Sequence, residues 1–161
     1  HRQSSAASDV YKRQKHGIVT NQEIFNLNKQ KYSYIESEKF IQELAWRDFW
    51  RSYAYQNPNY LWKDVEEYKT GFKPHDYRDE LPNDILTGQT PTVIINHFIR
   101  ELIETGFIHN HARMYLASYI VHFRKIKWQA GAKFFLEHLL DGDLASNNFS
   151  WQWIALSLIH I

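Results

Sequence analysis

Cysteine is absent from the 161-residue chain. That one absence excludes disulfide frameworks, thiolate nucleophiles and cysteine-ligated metal sites together. Proline (four) and glycine (six) are scarce, and methionine occurs once. Few helix breakers over such a length leave most of the chain open to helix. No apolar run approaches the roughly 20 residues needed to cross a bilayer, and no secretory leader is visible. A cytoplasmic protein with no membrane partner is the expectation. Charge of one sign is lacking as well, since 19 Lys and Arg against 18 Asp and Glu leave a net charge of +1. Bulk charge therefore does not mark the chain as a polyanion binder.

Aromatics are plentiful at 16%, with six Trp and ten each of Tyr and Phe. One domain with a real core is the scale the length allows. The two ends stand apart. "HRQSSAASDVYKRQ" has no apolar period and "SLIHI" stops abruptly after a helical pattern. Residues 1–14 and 157–161 read as adaptor-derived additions, which leaves 15–156 as a partial domain truncated at both ends.

Within 15–156 the pattern is helical. Thr20 is placed to cap a short amphipathic helix carrying Ile24, Phe25 and Leu27. Ser37 can cap a longer one, on which Phe40, Ile41, Leu44, Ala45 and Phe49 recur at helical spacing until Asn57-Pro58. Prolines and glycines break 57–92 into a long loop with short helical turns. Helices are predicted over 93–104, 108–125 and 128–140, and Asp143 is placed to cap a last one. No strand alternation or repeat is visible, so the fold class is all-α.

Several side-chain sets could carry chemistry. Glu43, Trp46 and Trp50 share a helical face, where a carboxylate beside an indole can hold a flat polar ring. The pattern alone favours a core tryptophan with a surface glutamate beside it. Asn110, Arg113 and Met114 lie at i, i+3 and i+4 and would present an amide, a guanidinium and a thioether to one side. His109 and His111, two apart, would point to nearly opposite faces of a helix, so no metal site is expected. Residues 107–133 contain five Lys or Arg and no Asp or Glu, a solvated face or a place to meet phosphate. In "DGDLASNNFSWQW" a helix turn accounts for Asp143. It leaves Asp141, an extra amide and two indoles unexplained. A buried carboxylate needs a cation, and Arg113 is the candidate for Asp141.

Four blocks then stand together: "ELAWRDF", "TGFIHNHARM", Trp128-x-x-Gly131 and "DGDLASNNFSWQW". Their order and spacing resemble the FAD-binding domain of the photolyase/cryptochrome family, over about residues 17–155. The form "TGFIHNHARMY" is most similar to a group of bacterial FAD-binding photolyase-related proteins. The resemblance implies a multi-helical domain holding folded FAD, with Arg113 paired to Asp141 beside the flavin. Asp143 would accept the flavin N3–H, Asn147 would face N5, and Asn110 would sit between cofactor and substrate. Glu43, Trp46, Asn110, Met114 and Trp153 match positions that cradle a pyrimidine dimer flipped out of damaged DNA. Trp151 and Trp128 match the inner two tryptophans that supply electrons to the flavin. A monomer is expected.

The departures are specific. The third, surface tryptophan has no counterpart in the proline-rich loop, His111 replaces the usual arginine, and "TPTVII" with Asn96 replaces a Thr-Gly-Tyr-Pro and aspartate junction. Two functions follow from the resemblance: light-driven splitting of pyrimidine dimers by reduced FAD, or a cryptochrome-like photoreceptor or other flavin-binding protein without repair. A helical nucleic-acid-binding module lacking FAD is a third.

Overall fold

The computed structural model describes residues 12–14, 16–68 and 71–156. Of the ends read as adaptor-derived, residues 1–11 and 157–161 lie outside the described residues. Helix α1 (Asn21–Lys31) starts at Thr20, whose hydroxyl accepts the Glu23 N–H while Glu23 reaches back to the Thr20 backbone. This reciprocal box satisfies two amide donors that a helix start leaves free. Helix α2 (Tyr34–Gln56) uses the same device at Ser33 with Glu36, not at Ser37. The cap falls at Ser33 because a glutamate lies three residues on, whereas Ser37 has Phe40 there. Ser37 is buried and donates to the Ser33 carbonyl at 2.8 Å. α2 stops at Asn57, before Pro58, as the proline requires.

The proline-rich stretch contains 3₁₀ turns at Pro58–Leu61 and Pro74–Asp76 and a short helix α3 (Asn83–Leu86). Helix α4 (Val93–Thr105) follows. Asn96 locks its entrance, accepting the Thr90 N–H at 2.7 Å and donating to the Thr90 carbonyl at 2.8 Å. An aspartate could accept but not donate, so the amide suits this junction. α5 (Asn110–Ser118) opens two residues later than predicted and runs into a π-helical turn at Tyr119–Phe123. The chain then turns sharply at Lys125, with φ 51° and its ammonium 3.6 Å from the centre of the Phe72 ring. Helices α6 (Trp128–His138) and α7 (Leu144–Leu156) complete the domain. Among the described residues there is no strand, only an isolated bridge between Arg78 and Ile126, and no helix long and apolar enough to cross a membrane.

The core gathers α4, α5 and α6, with Ile99, Leu102, Leu116, Ile120 and Trp128 fully buried. α7 packs against α6, α2 and α5 at once, so it has no single apolar stripe and buries polar groups among its rings. Asn148, completely buried, donates to the Leu61 carbonyl at 2.7 Å. Gln152 donates to the Tyr60 carbonyl at 2.7 Å and accepts the Val65 N–H at 3.0 Å. These amides satisfy a loop whose backbone would otherwise be buried without partners.

α6 and α7 meet at a glycine. A Cβ built on Gly131 would lie 2.2 Å from the Trp151 ring, so the indole rests directly on helix backbone. Gly131→Ala is expected to destabilise the domain by about 1–3 kcal/mol through overpacking. The check is the urea midpoint, which must fall; an unchanged midpoint would mean that Trp151 is free to move away.

Candidate functional site

The α5 N-terminus and the α6–α7 junction face each other across a cavity of about 140 Å³. Two contacts bring them together. The Leu140 N–H donates to the Gly106 carbonyl at 3.0 Å. Gly106 closes α4 in the left-handed conformation, and a Cβ there would meet the Leu140 side chain at 2.6 Å, so glycine is required twice over. The second contact is ionic. Arg113 on α5 places Nη2 2.9 Å from one oxygen of Asp141 and 3.1 Å from the other, while its Nε donates to the Ile108 carbonyl at 3.0 Å. The Asp141 side chain is almost wholly buried and Arg113 is about one quarter exposed. The cation sought for Asp141 is therefore Arg113.

Asp143 begins α7. One carboxylate oxygen accepts the Ser146 N–H at 3.1 Å, and the other sits 2.9 Å from Arg51 Nη2 on α2. Burial pushes this carboxyl up, but the Ser146 N–H and the Arg51 and Arg47 charges outweigh it, holding the group below its ordinary range. Asn147 spends its Nδ2 on the Ala132 carbonyl and on Asn148 Oδ1. The amide thus has its oxygen left to accept from elsewhere. Ser146 Oγ is buried with no partner, an exception to the rule that buried hydroxyls are bonded.

Of the residues singled out from sequence, Asn110, Arg113, Met114, Asp141, Asp143, Asn147 and Trp151 line this one cavity. Trp153 does not. It lines a second cavity of about 230 Å³ on the other side of α7, with Trp50, Tyr53 and Phe149. Glu43 and Trp46 lie exposed on α2, with Trp46 stacked on Trp50 at 5.9 Å. At 57% exposed, Trp46 is not the core tryptophan that its pattern favoured. Trp128 is fully buried at the start of α6 and lines neither cavity. His109 and His111 also depart from expectation: their rings stack at 5.1 Å. His109 precedes α5 as its cap, accepting the His111 N–H, so helical spacing does not apply to it. Among the described residues no group of three His, Cys, Asp or Glu could hold a metal ion.

Three participants escaped the sequence reading. Of two arginines one helical turn apart on α2, Arg47 lines the pocket and Arg51 holds Asp143, and Ser146 offers its orphan hydroxyl. Two arginines four apart inside an otherwise apolar stripe were the available signal.

Fold and pocket together define a helical cofactor-binding domain whose polar cleft is built from paired charges and amides. Residues 40–160 match the family described as the FAD binding domain of DNA photolyase. The chain belongs to that family. It is 39% identical over 123 residues to a deoxyribodipyrimidine photo-lyase of Synechococcus, covering 72% of this chain and 24% of that protein. Among solved structures it is similar to an archaeal photolyase from Sulfolobus tokodaii with two FAD molecules (32% identity, TM-score 0.69, 89% of this chain and 32% of that one). It is also similar to a Synechocystis cryptochrome (28% identity, TM-score 0.72, 89% and 30%). The chain thus spans about a quarter to a third of these relatives.

Two outcomes follow from the charges. Arg113→Ala leaves Asp141 buried and unpaired and should cost about 3 kcal/mol, the low end for a broken buried pair because Arg113 is partly exposed; chemical denaturation measures it. The depressed Asp143 carboxyl adds stability that is complete above the ordinary carboxylate value of about 4 and is lost as pH falls through its folded value. Arg51→Met should flatten that acid limb in a pH series of denaturation midpoints, and an unaltered limb would deny the Arg51 contact its role.

Proposed function

We propose that the protein containing this chain is a photolyase-like flavoprotein that acts on pyrimidine dimers in damaged DNA. The observation that carries the reading is the cavity around Arg113–Asp141, because the polar groups lining it fit an isoalloxazine. A flavin ring needs acceptors for its N–H groups and donors for its carbonyls, and the cavity has carboxylates, the free Asn147 oxygen, a guanidinium and an unpartnered Ser146 hydroxyl. FAD, when bound, supplies light-driven one-electron chemistry. Everything else is placement by this chain. Arg113 and Asp141 would hold the rim beside the flavin, Asp143 would accept its N3–H, Asn147 would face N5, and Asn110 and Met114 would stand on the substrate side.

Trp46 and Trp153, each 57% exposed, offer indole faces on which an extruded pyrimidine dimer can stack. Glu43, one turn from Trp46, adds an acceptor for base N–H groups. Trp151 and Trp128, both buried, supply electrons from within the protein. The likeness to a photolyase acting on deoxyribodipyrimidines supports this reading.

A second reading, a cryptochrome-like photoreceptor without repair, is favoured by the likeness to the Synechocystis cryptochrome and by His111, exposed at the start of α5, in place of an arginine. The full-length protein, reduced FAD and dimer-bearing DNA under blue light separate the two. Light-dependent loss of dimers is expected. Trp46→Ala should weaken dimer binding about 10-fold or more, as loss of a base-stacking indole does, with flavin content unchanged. Bound flavin with no repair in light would establish the second reading instead.

A further inference from the structure

Loop 57–65 carries an arrangement that lies apart from the flavin cavity. Trp62 lies parallel to Trp128, with ring centroids 6.3 Å apart and planes 4° apart. Trp128 is wholly buried, whereas Trp62 is 38% exposed. Trp128 Nε1–H donates to Asp64 Oδ1 at 2.6 Å, a short, charge-assisted bond. The Lys133 ammonium stands 5.8 Å from the centre of the Trp62 ring. The stack therefore has a carboxylate at its inner ring and an ammonium at its outer one. Its geometry is fixed from two helices. Gln129 on α6 donates to the same Asp64 oxygen at 3.1 Å, and Asn148 and Gln152 on α7 hold the loop backbone.

We propose that Asp64 is the positioning and proton-accepting residue of Trp128, holding an electron vacancy on the buried ring instead of letting it pass out to Trp62. The inference rests on the electron-supplying role given to Trp128 above. Loss of one electron leaves an indole radical cation, whose N–H is strongly acidic. The electron goes to a one-electron oxidant, a flavin in that reading. The Nε1 proton crosses to the Asp64 carboxylate, leaving a neutral tryptophanyl radical beside a neutral carboxylic acid. On the outer ring the balance is opposite, because a ring face that attracts an ammonium repels it once the ring is itself positive. Tyr68 does not compete for the proton. Burial and the Asp64 charge push its phenol above the ordinary range, so it keeps its own.

An Asp64 that merely anchors the loop would be replaced well by asparagine, which retains a hydrogen-bond acceptor but cannot take up the proton. Azide radicals from pulse radiolysis oxidise tryptophan in the full-length protein freed of flavin, so failure here is distinct from failure of light-driven chemistry. The part of the transient spectrum that Trp128→Phe removes reports Trp128, and the part that Trp62→Phe removes reports Trp62. In the wild-type chain the Trp128 signal should show the neutral radical from its first appearance, at a rate indifferent to buffer concentration. In Asp64→Asn it should begin as the cation, hold its proton longer, and shrink severalfold in favour of Trp62. A wild-type Trp128 signal that is absent or buffer-dependent overturns the proposal, whether or not the variant folds. So does an Asp64→Asn chain indistinguishable from wild type.

Discussion

The ion pair between Arg113 and Asp141 is the contact on which the rest of the site depends. It joins two chain junctions far apart in sequence, the entry to α5 and the passage from α6 to α7, across a cleft that apolar packing alone would close. A carboxylate so deeply buried is tolerable only when its charge is met by a cation with good geometry. Arg113 supplies that while its Nε–H is held by the Ile108 carbonyl, so the guanidinium is fixed as well as neutralised. Gly106 and Leu140 reinforce the same seam through backbone and side chain. With both edges held, the polar faces of Asp143, Ser146 and Asn147 stay turned toward a shared space.

α7 divides the chemistry. One side of the helix, through Asn147 and Trp151, faces the charged cavity; another, through Phe149 and Trp153, faces an aromatic one. Between them Asn148 and Gln152 point into the loop and satisfy its carbonyls. A single helix thus fixes pocket wall, aromatic face and loop with respect to each other. The cost of burying two amides is offset by the loop groups they satisfy. Gly131 lets Trp151 rest on α6 backbone, which ties the inner indole to the helix that begins at Trp128.

The all-α class and most helix positions were legible because apolar residues recur at helical spacing and prolines and glycines fall between them. The pairing of Arg113 with Asp141 was also legible, since the energetics of a buried carboxylate demand a cation and few were at hand. Other features were not. Ser33 rather than Ser37 starts α2 because the capping glutamate sits three residues beyond it, a detail that the apolar pattern obscures. The stacked histidines arise because His109 lies just outside its helix. Arg51 and Asp64 meet partners 92 and 64 residues away. No local pattern encodes such distances; they emerge only once α2 and the loop are folded against α6 and α7.

Membership of the photolyase FAD-binding domain family narrows the chemistry, and in the proposed reading the charged cavity, rather than the aromatic one beside Trp153, takes the cofactor. On that reading the flavin belongs at the Arg113–Asp141 seam. Hydrogen–deuterium exchange on the full-length protein, with and without FAD, tests this most directly. Strong added protection is expected in segments 110–114 and 139–147, with little change at the second cavity around Tyr53 and Trp153. Protection that appears at that second cavity, while 139–147 exchanges as before, would contradict it.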